Sequence, residues 1–145
     1  GCGGTGSNLA MLLAACGFKK FQFIDFDVVA LNNFNRQHLF SLADLGRPKV
    51  DALKDRIIER FSQVSIETKR LRIDSIDDLK RCRSIKSKSQ LFILCADTPT
   101  HLIRKWTTQF CFSNSIPLFF GAVGLYESSV GPLLQSKDHF KNYLK

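Results

Sequence analysis

Glycines at Gly1, Gly3 and Gly6 spell G-x-G-x-x-G, a spacing that makes a tight turn and lets backbone approach a phosphate closely. Residues from Ser7 onward read as a helix, whose first amides would point at the same anion. Asp25 lies 19 residues past Gly6, at the end of the next strand-like run, where a carboxylate can accept from ribose hydroxyls. These features describe a nucleotide site and no more. A dinucleotide dehydrogenase fits them equally well, and a ligand-free tight turn is the bland alternative.

The residues that follow separate these readings. Asp25-Phe26-Asp27 leads into Asn33-Phe34-Asn35-Arg36-Gln37 and then Gly46-Arg47-Pro48-Lys49. A hydride-transfer enzyme has no need of Arg36 and Lys49 here. An enzyme that cleaves between the α- and β-phosphates does, because charge builds on the leaving pyrophosphate; arginine offers a planar fork and lysine a point charge. Lys49 falls in a helix's first turn, where a cation is disfavoured unless something anionic binds nearby. Asp97, at the end of the apolar run Leu91 to Cys95, suits Mg2+, which takes one or two protein carboxylates plus substrate phosphates. Its alternative role is the N-cap of the helix entered through Pro99.

Short apolar runs alternate with helical periodicity along the chain, and this arrangement would carry those residues. Helices are expected over Ser7–Cys16, with Leu9, Leu12, Leu13 and Cys16 on one face and Gly17 as the stop, and from Pro48 onward, with Val50, Leu53, Ile57, Ile58 and Phe61 inward. Two more are expected over Ile76–Cys82 and Pro99–Phe112, the latter with Leu102, Ile103, Trp106 and Phe110 inward. Strands are expected at Phe21–Phe26, Ser65–Ile73, Leu91–Cys95, Pro117–Phe120 and Ser128–Leu134, and the polar stretch Val28–Arg47 reads as loop. Such alternation predicts an α/β fold of the Rossmann-like, doubly wound kind, with a mainly parallel sheet and helices on both faces. A phosphate loop normally follows a strand, so the first strand is expected to be missing and the chain to be a fragment, one that need not be active alone.

The bulk numbers fit one soluble domain. The chain has 145 residues, 44% hydrophobic and 23% charged, without an apolar run near the length of a membrane span. No signal peptide is evident, and the five cysteines are odd in number and lack a C-x-x-C pair, so a reducing cytoplasmic setting is expected and zinc is not supported. The net charge of +8 owes much to Lys80–Lys88, five bases without an acid, read first as a solvated helix end and loop. Nucleic acid is a possible partner but not the favoured one, since no aromatics interleave the bases. His38, His101 and His139 are too scattered for a metal or catalytic site.

Gly1 to Gly6, Asp25-Phe26-Asp27, Asn33-x-x-Arg36-Gln37, Gly46-x-x-Lys49 and Ala96-Asp97, taken in order, resemble the adenylation domains of the ThiF/MoeB and ubiquitin-activating-enzyme family. Ala96-Asp97-Thr98-Pro99, Trp106 and Ser129-Val130-Gly131-Pro132-Leu133 look more like its bacterial subgroup that includes MccB, which adenylates a peptide's C-terminus. The resemblance implies an adenylyltransferase that uses ATP and magnesium to activate the C-terminal carboxylate of a peptide, ubiquitin-like or sulfur-carrier protein, working as a homodimer. It implies catalytic roles for Arg36 and Lys49 at the phosphates and Asp97 at magnesium. Gly1, Gly3, Gly4, Gly6, Asp25 at the ribose, Asp27, Asn33 and Gln37 complete the nucleotide-binding set, the last two near the phosphates or supporting the loop. Residues 1–134 would form this ATP-binding domain, and 135–145 match it poorly, as a short helix or a non-native end.

Some family features do not appear: the paired C-x-x-C zinc motifs, the segment carrying a catalytic cysteine, and the arginine lent by a dimer partner from before the glycine loop. Alternatives within reach are a transfer-RNA-modifying member of the same family and a non-catalytic scaffold or pseudo-enzyme subunit. The retained Asp25, Arg36, Lys49 and Asp97 argue against the scaffold for the intact protein, whereas for a fragment, truncation argues in its favour.

Overall fold

The computed structural model describes residues 1–82, 90–124 and 126–143, and the chain divides into two compact units, residues 1–72 and 73–145. Of the basic run Lys80–Lys88, residues 83–88 lie outside the described residues.

The first unit opens with helix α1, Gly4–Ala15. It begins three residues earlier than the apolar spacing suggests, because Gly3 is already the extended N-cap and the Ser7 amide bonds the Gly3 carbonyl at 2.9 Å. The inward face also differs from expectation. Ser7, Ala10 and Ala14 are buried, while Leu12 is 63% exposed and Cys16 is exposed, with Leu9 and Leu13 between. Small residues at helical spacing let the helix axis come close to its neighbours, and that outweighs burying the larger leucines. Gly17 closes the helix with φ +95°, its amide on the Ala14 carbonyl and that of Phe18 on Leu13.

Strand β1, Lys20–Asp25, pairs in parallel with β2, Ser65–Arg70, from Lys20 opposite Ser65 to Asp25 opposite Arg70. Between them come two 3-10 turns, Leu31–Asn33 and Leu42–Asp44, and helix α2, Lys49–Arg60. Pro48 is the boundary residue of α2 rather than part of its first turn. Val50, Leu53 and Ile57 are buried as expected, Ile58 and Phe61 pack at the margin, and Phe23, Val29, Phe40, Val64 and Ile66 complete this core. The parallel register needs a crossover, and α2 supplies it.

In the second unit, α3 spans Ile76–Arg81 and is capped by Ser75, whose Oγ accepts from the Asp78 amide. Strand β3, Phe92–Leu94, pairs in parallel with β4, Leu118–Val123, and β5, Ser128–Leu134, returns antiparallel to β4. Helix α4, Leu102–Asn114, joins β3 to β4 and buries Ile103 and Phe110 as expected, with Trp106 partly covered. Leu102 does not face inward; it is 47% exposed at the helix's first position, while Ile103 beside it takes the buried place. Residues Lys137–Tyr143 form α5, which buries Phe140 with its ring 5.8 Å from that of Phe112. The two bases of α3 are matched to acids, Lys80 to Asp77 at 2.6 Å and Arg81 to Asp78 at 3.3 Å. No helix among the described residues is long and apolar enough to cross a membrane.

Candidate active site

In the first unit, the end of β1 collects most of the predicted site. The Cys2 amide donates to Asp25 Oδ2 at 2.6 Å, which ties the glycine loop to the strand's C-terminal end. The Asp27 amide donates to Asp25 Oδ1 at 2.8 Å. Each Asp25 oxygen therefore accepts one amide and keeps lone-pair capacity for a further donor.

Beyond the strand the chain turns through 28–48 and returns. The Val29 amide donates to the Arg47 carbonyl at 2.9 Å, the Gly46 amide donates to the Val29 carbonyl, and Val28 pairs with Pro48. This return brings Lys49 against Asp27 twice. Its amide donates to the Asp27 carbonyl at 3.0 Å, and its Nζ reaches Asp27 Oδ2 at 2.8 Å. The Lys49 side chain is 7% exposed and that of Asp27 46%.

Asn33 and Gln37 are both buried, whereas Arg36 is exposed. Asn33 holds the local backbone: its Oδ1 accepts from the Ala30 amide, and its carbonyl accepts from the amides of Arg36 and Gln37. Asn33 thus ties this loop together. Arg36 donates from Nη1 to the Asn32 carbonyl at 3.0 Å and to Asn35 Oδ1 at 2.9 Å, and forms no ion pair among the described residues. The same segment lies beside the glycine loop. A Cβ on Gly4 would sit 3.1 Å from the Arg36 carbonyl oxygen, and one on Gly3 would sit 3.8 Å from Gln37 Nε2. Gln37 Oε1 is buried with no hydrogen-bond partner among the described residues. The close approach at Gly4 and the helix amides suit a phosphate-bearing ligand at this loop, whereas the unmatched Gln37 Oε1, an acceptor, calls for a donor such as a hydroxyl or water rather than a phosphate oxygen.

Asp97 belongs to the second unit, three residues past the end of β3, and is exposed. One carboxylate oxygen accepts from Thr98 Oγ1 at 3.1 Å, and the N-cap of α4 is His101, at φ +65°, so Asp97 does not cap that helix. An exposed carboxylate is a hard oxygen donor of the kind magnesium takes. No group of three or more His, Cys, Asp or Glu that could hold a metal occurs among the described residues.

One cluster escaped the sequence reading. Asp44 is 1% exposed and accepts from the Ser41 amide and Oγ, Arg47 Nη1 and Arg56 Nη2. Burial alone would raise its carboxyl, yet hydrogen bonds from Arg56 and Ser41 outweigh this and hold it at about 2. The Ser41-x-x-Asp44 spacing, a capping pattern, was the available signal. His38, nearby, is exposed and takes part in none of these bonds.

Comparison with known proteins follows the same lines. The profile of the ThiF family matches residues 1–143. The molybdopterin-synthase adenylyltransferase of Escherichia coli is 28% identical over 130 residues, 90% of this chain and 50% of that protein. The NEDD8-activating enzyme E1 catalytic subunit of Arabidopsis thaliana is 42% identical over 66 residues, 46% of this chain and 14% of that protein. A crystal structure of E. coli MccB with ATP superposes with a TM-score of 0.84 at 29% identity, covering 93% of this chain and 39% of that one. This chain therefore spans half or less of the length of these relatives, and it shares the Rossmann-like α/β fold of MccB. On the family match across nearly its whole length, the chain belongs to the ThiF family.

Proposed function

We propose that the complete protein is an adenylyltransferase that uses ATP to activate the C-terminal carboxylate of a peptide, ubiquitin-like or sulfur-carrier protein. The observation that carries this reading is the convergence at the end of β1. There the N-terminus of α1, the Asp25 carboxylate and the buried Lys49 ammonium lie on one run of hydrogen-bonded backbone. The relatives support it by name: an adenylyltransferase, a NEDD8-activating subunit, and MccB in structures with ATP and with the peptide MccA.

A carboxylate is ionised at neutral pH, so it attacks the α-phosphorus without a general base. Oxygen–phosphorus bond formation expels pyrophosphate and leaves an acyl-adenylate. The protein's task is to hold the reactants in line and stabilise the charge that moves onto the leaving group. The glycine loop and the α1 amides hold phosphate oxygens. Asp25 accepts from the ribose. Arg36, exposed beside Gly4, turns its guanidinium to the phosphates, and Lys49 supplies a second cation. Gln37 presents its amide at Gly3. Magnesium, when held by Asp97, would add charge neutralisation at the phosphates. By the same family likeness the complete protein is proposed to be a cytoplasmic homodimer.

ATP–pyrophosphate exchange by the complete protein tests the reading. Arg36→Ala, Lys49→Ala and Asp97→Ala should each lower exchange by about 100-fold or more, as expected for a lost transition-state donor. Undiminished exchange in Arg36→Ala or Asp97→Ala would overturn the assignment.

A further inference from the structure

A lysine at the first position of a helix sits against the positive end of the helix dipole, and Lys49 is also buried. Such an ammonium needs a counter-charge to remain in place. Asp27 is its ion-pair partner, at 2.8 Å, and no second one occurs among the described residues. Asp27 is itself fixed three ways: its amide on Asp25, its carbonyl on the Lys49 amide, and the neighbouring Val28–Pro48 bridge. The two charged groups differ in their access to water. Lys49 is 7% exposed and cannot reach solvent without leaving its packing, whereas Asp27 is 46% exposed and can be hydrated as soon as it is released.

We propose that Asp27 is a positioning residue for Lys49, holding its ammonium at the end of β1 until nucleotide phosphates replace the carboxylate as its counter-ion. This rests on the adenylation reading, and it assigns Asp27 to the lysine rather than to the nucleotide. The exposure asymmetry sets the direction of exchange: the buried lysine stays and the hydrated carboxylate lets go. A polyphosphate carries more charge than one carboxylate, so it wins the contact. Removing Asp27 therefore costs the nucleotide little binding, since it also removes a repulsive charge near the phosphates. The loss falls on the resting lysine, which without a partner either swings into water or gives up its proton. Both raise its reactivity as an amine.

The test labels the whole chain with an amine-acetylating reagent and measures Lys49 against Lys54, on the same helix, by mass spectrometry. Asp27→Ala and the isosteric Asp27→Asn should raise the Lys49-to-Lys54 ratio by about tenfold, and Asp27→Glu should return it to the wild-type value. Global unfolding would also raise the ratio, because Lys49 starts more buried than Lys54, so each variant's urea midpoint is measured first and labelling is done where the chain is folded. An unchanged ratio in a folded Asp27→Asn chain overturns the proposal. Mg-ATP titration into the same proteins supplies the second arm. Asp27→Asn should bind within about threefold of wild type, while Lys49→Ala should bind at least about tenfold more weakly. Equal weakening by the two would make Asp27 a nucleotide ligand and overturn its assignment as a positioning residue. If the folded wild-type chain binds no ATP, the adenylation reading loses its support in this chain and the hand-over to phosphate falls with it. The labelling ratio then decides separately whether Asp27 holds Lys49.

Discussion

Arg56 reaches from helix α2 to the buried carboxylate of Asp44, twelve positions earlier in the chain, and bonds it at 2.9 Å. The contact pins the second 3-10 turn to the helix that carries Lys49, and Arg47, held by the same carboxylate, pairs through its carbonyl with Val29. Breaking the pair from the Asp44 side leaves the Ser41 amide without its acceptor and takes one carboxylate from each arginine, although Arg47 keeps Asp55 and Arg56 keeps Glu59. Asp44→Ala should therefore cost about 2 kcal/mol, less than a fully buried pair because both arginines keep a second carboxylate and solvent access, measured as a fall in the urea midpoint at neutral pH. A loss below about 1 kcal/mol would mean the cluster is better hydrated than its burial implies.

The same carboxylate makes a pH prediction. Its folded value of about 2 lies below the ordinary 3.8, so the ionised form is favoured by folding. The stabilisation is fully present above about 3.8 and disappears as pH falls through the folded value, a window of roughly 2 kcal/mol. Urea midpoints taken from pH 6 to pH 2 should drop across that window, and Asp44→Asn should show a shallower drop. Parallel curves for the two proteins would assign the acid sensitivity to other carboxylates, Asp78 among them, whose carboxyl is also lowered, chiefly by Ser75.

Thiol chemistry separates two of the cysteines. Cys111 is fully buried and burial pushes its thiol up to about 12, whereas Cys16 sits exposed at the end of α1. A thiol-exchange reagent at pH 8 should modify Cys16 quickly and leave Cys111 unmodified until the chain is unfolded in denaturant. Cys16→Ser should remove the fast phase. Rapid modification of Cys111 without denaturant would show that the second unit opens on the timescale of labelling.

Motif spacing made the α/β class and the glycine loop readable, because strand and helix periods and the turn demands on Gly17 are local properties. Asp25 at the end of β1 was readable for the same reason. What stayed hidden depended on contacts between distant residues. The inward face of α1 is set by how closely Ser7, Ala10 and Ala14 let neighbours approach, which hydrophobicity alone reverses. Lys49 looked like a ligand-seeking cation, and its pairing with Asp27 required knowing that the chain returns antiparallel at Val28 and Pro48. Asp97 at a helix entrance fitted an N-cap equally well until the helix was found to begin after His101.

Gly3 and Gly4 offer a clean contrast between fold and ligand. A Cβ on Gly4 would press to 3.1 Å on the Arg36 carbonyl, which is backbone and cannot swing aside. Gly4→Ala should therefore destabilise the chain by about 1–2 kcal/mol, partly offset by alanine's better helix propensity. A Cβ on Gly3 meets nothing nearer than Gln37 Nε2 at 3.8 Å, an ordinary contact. Gly3→Ala should leave the urea midpoint within about 0.5 kcal/mol of wild type. If the phosphates pass over this loop, the added methyl stands between them and the α1 amides, and Mg-ATP affinity should fall by roughly tenfold or more. Unchanged ATP binding by Gly3→Ala would place the phosphates elsewhere than over Gly3, and with them the line of attack proposed for Arg36 and Lys49.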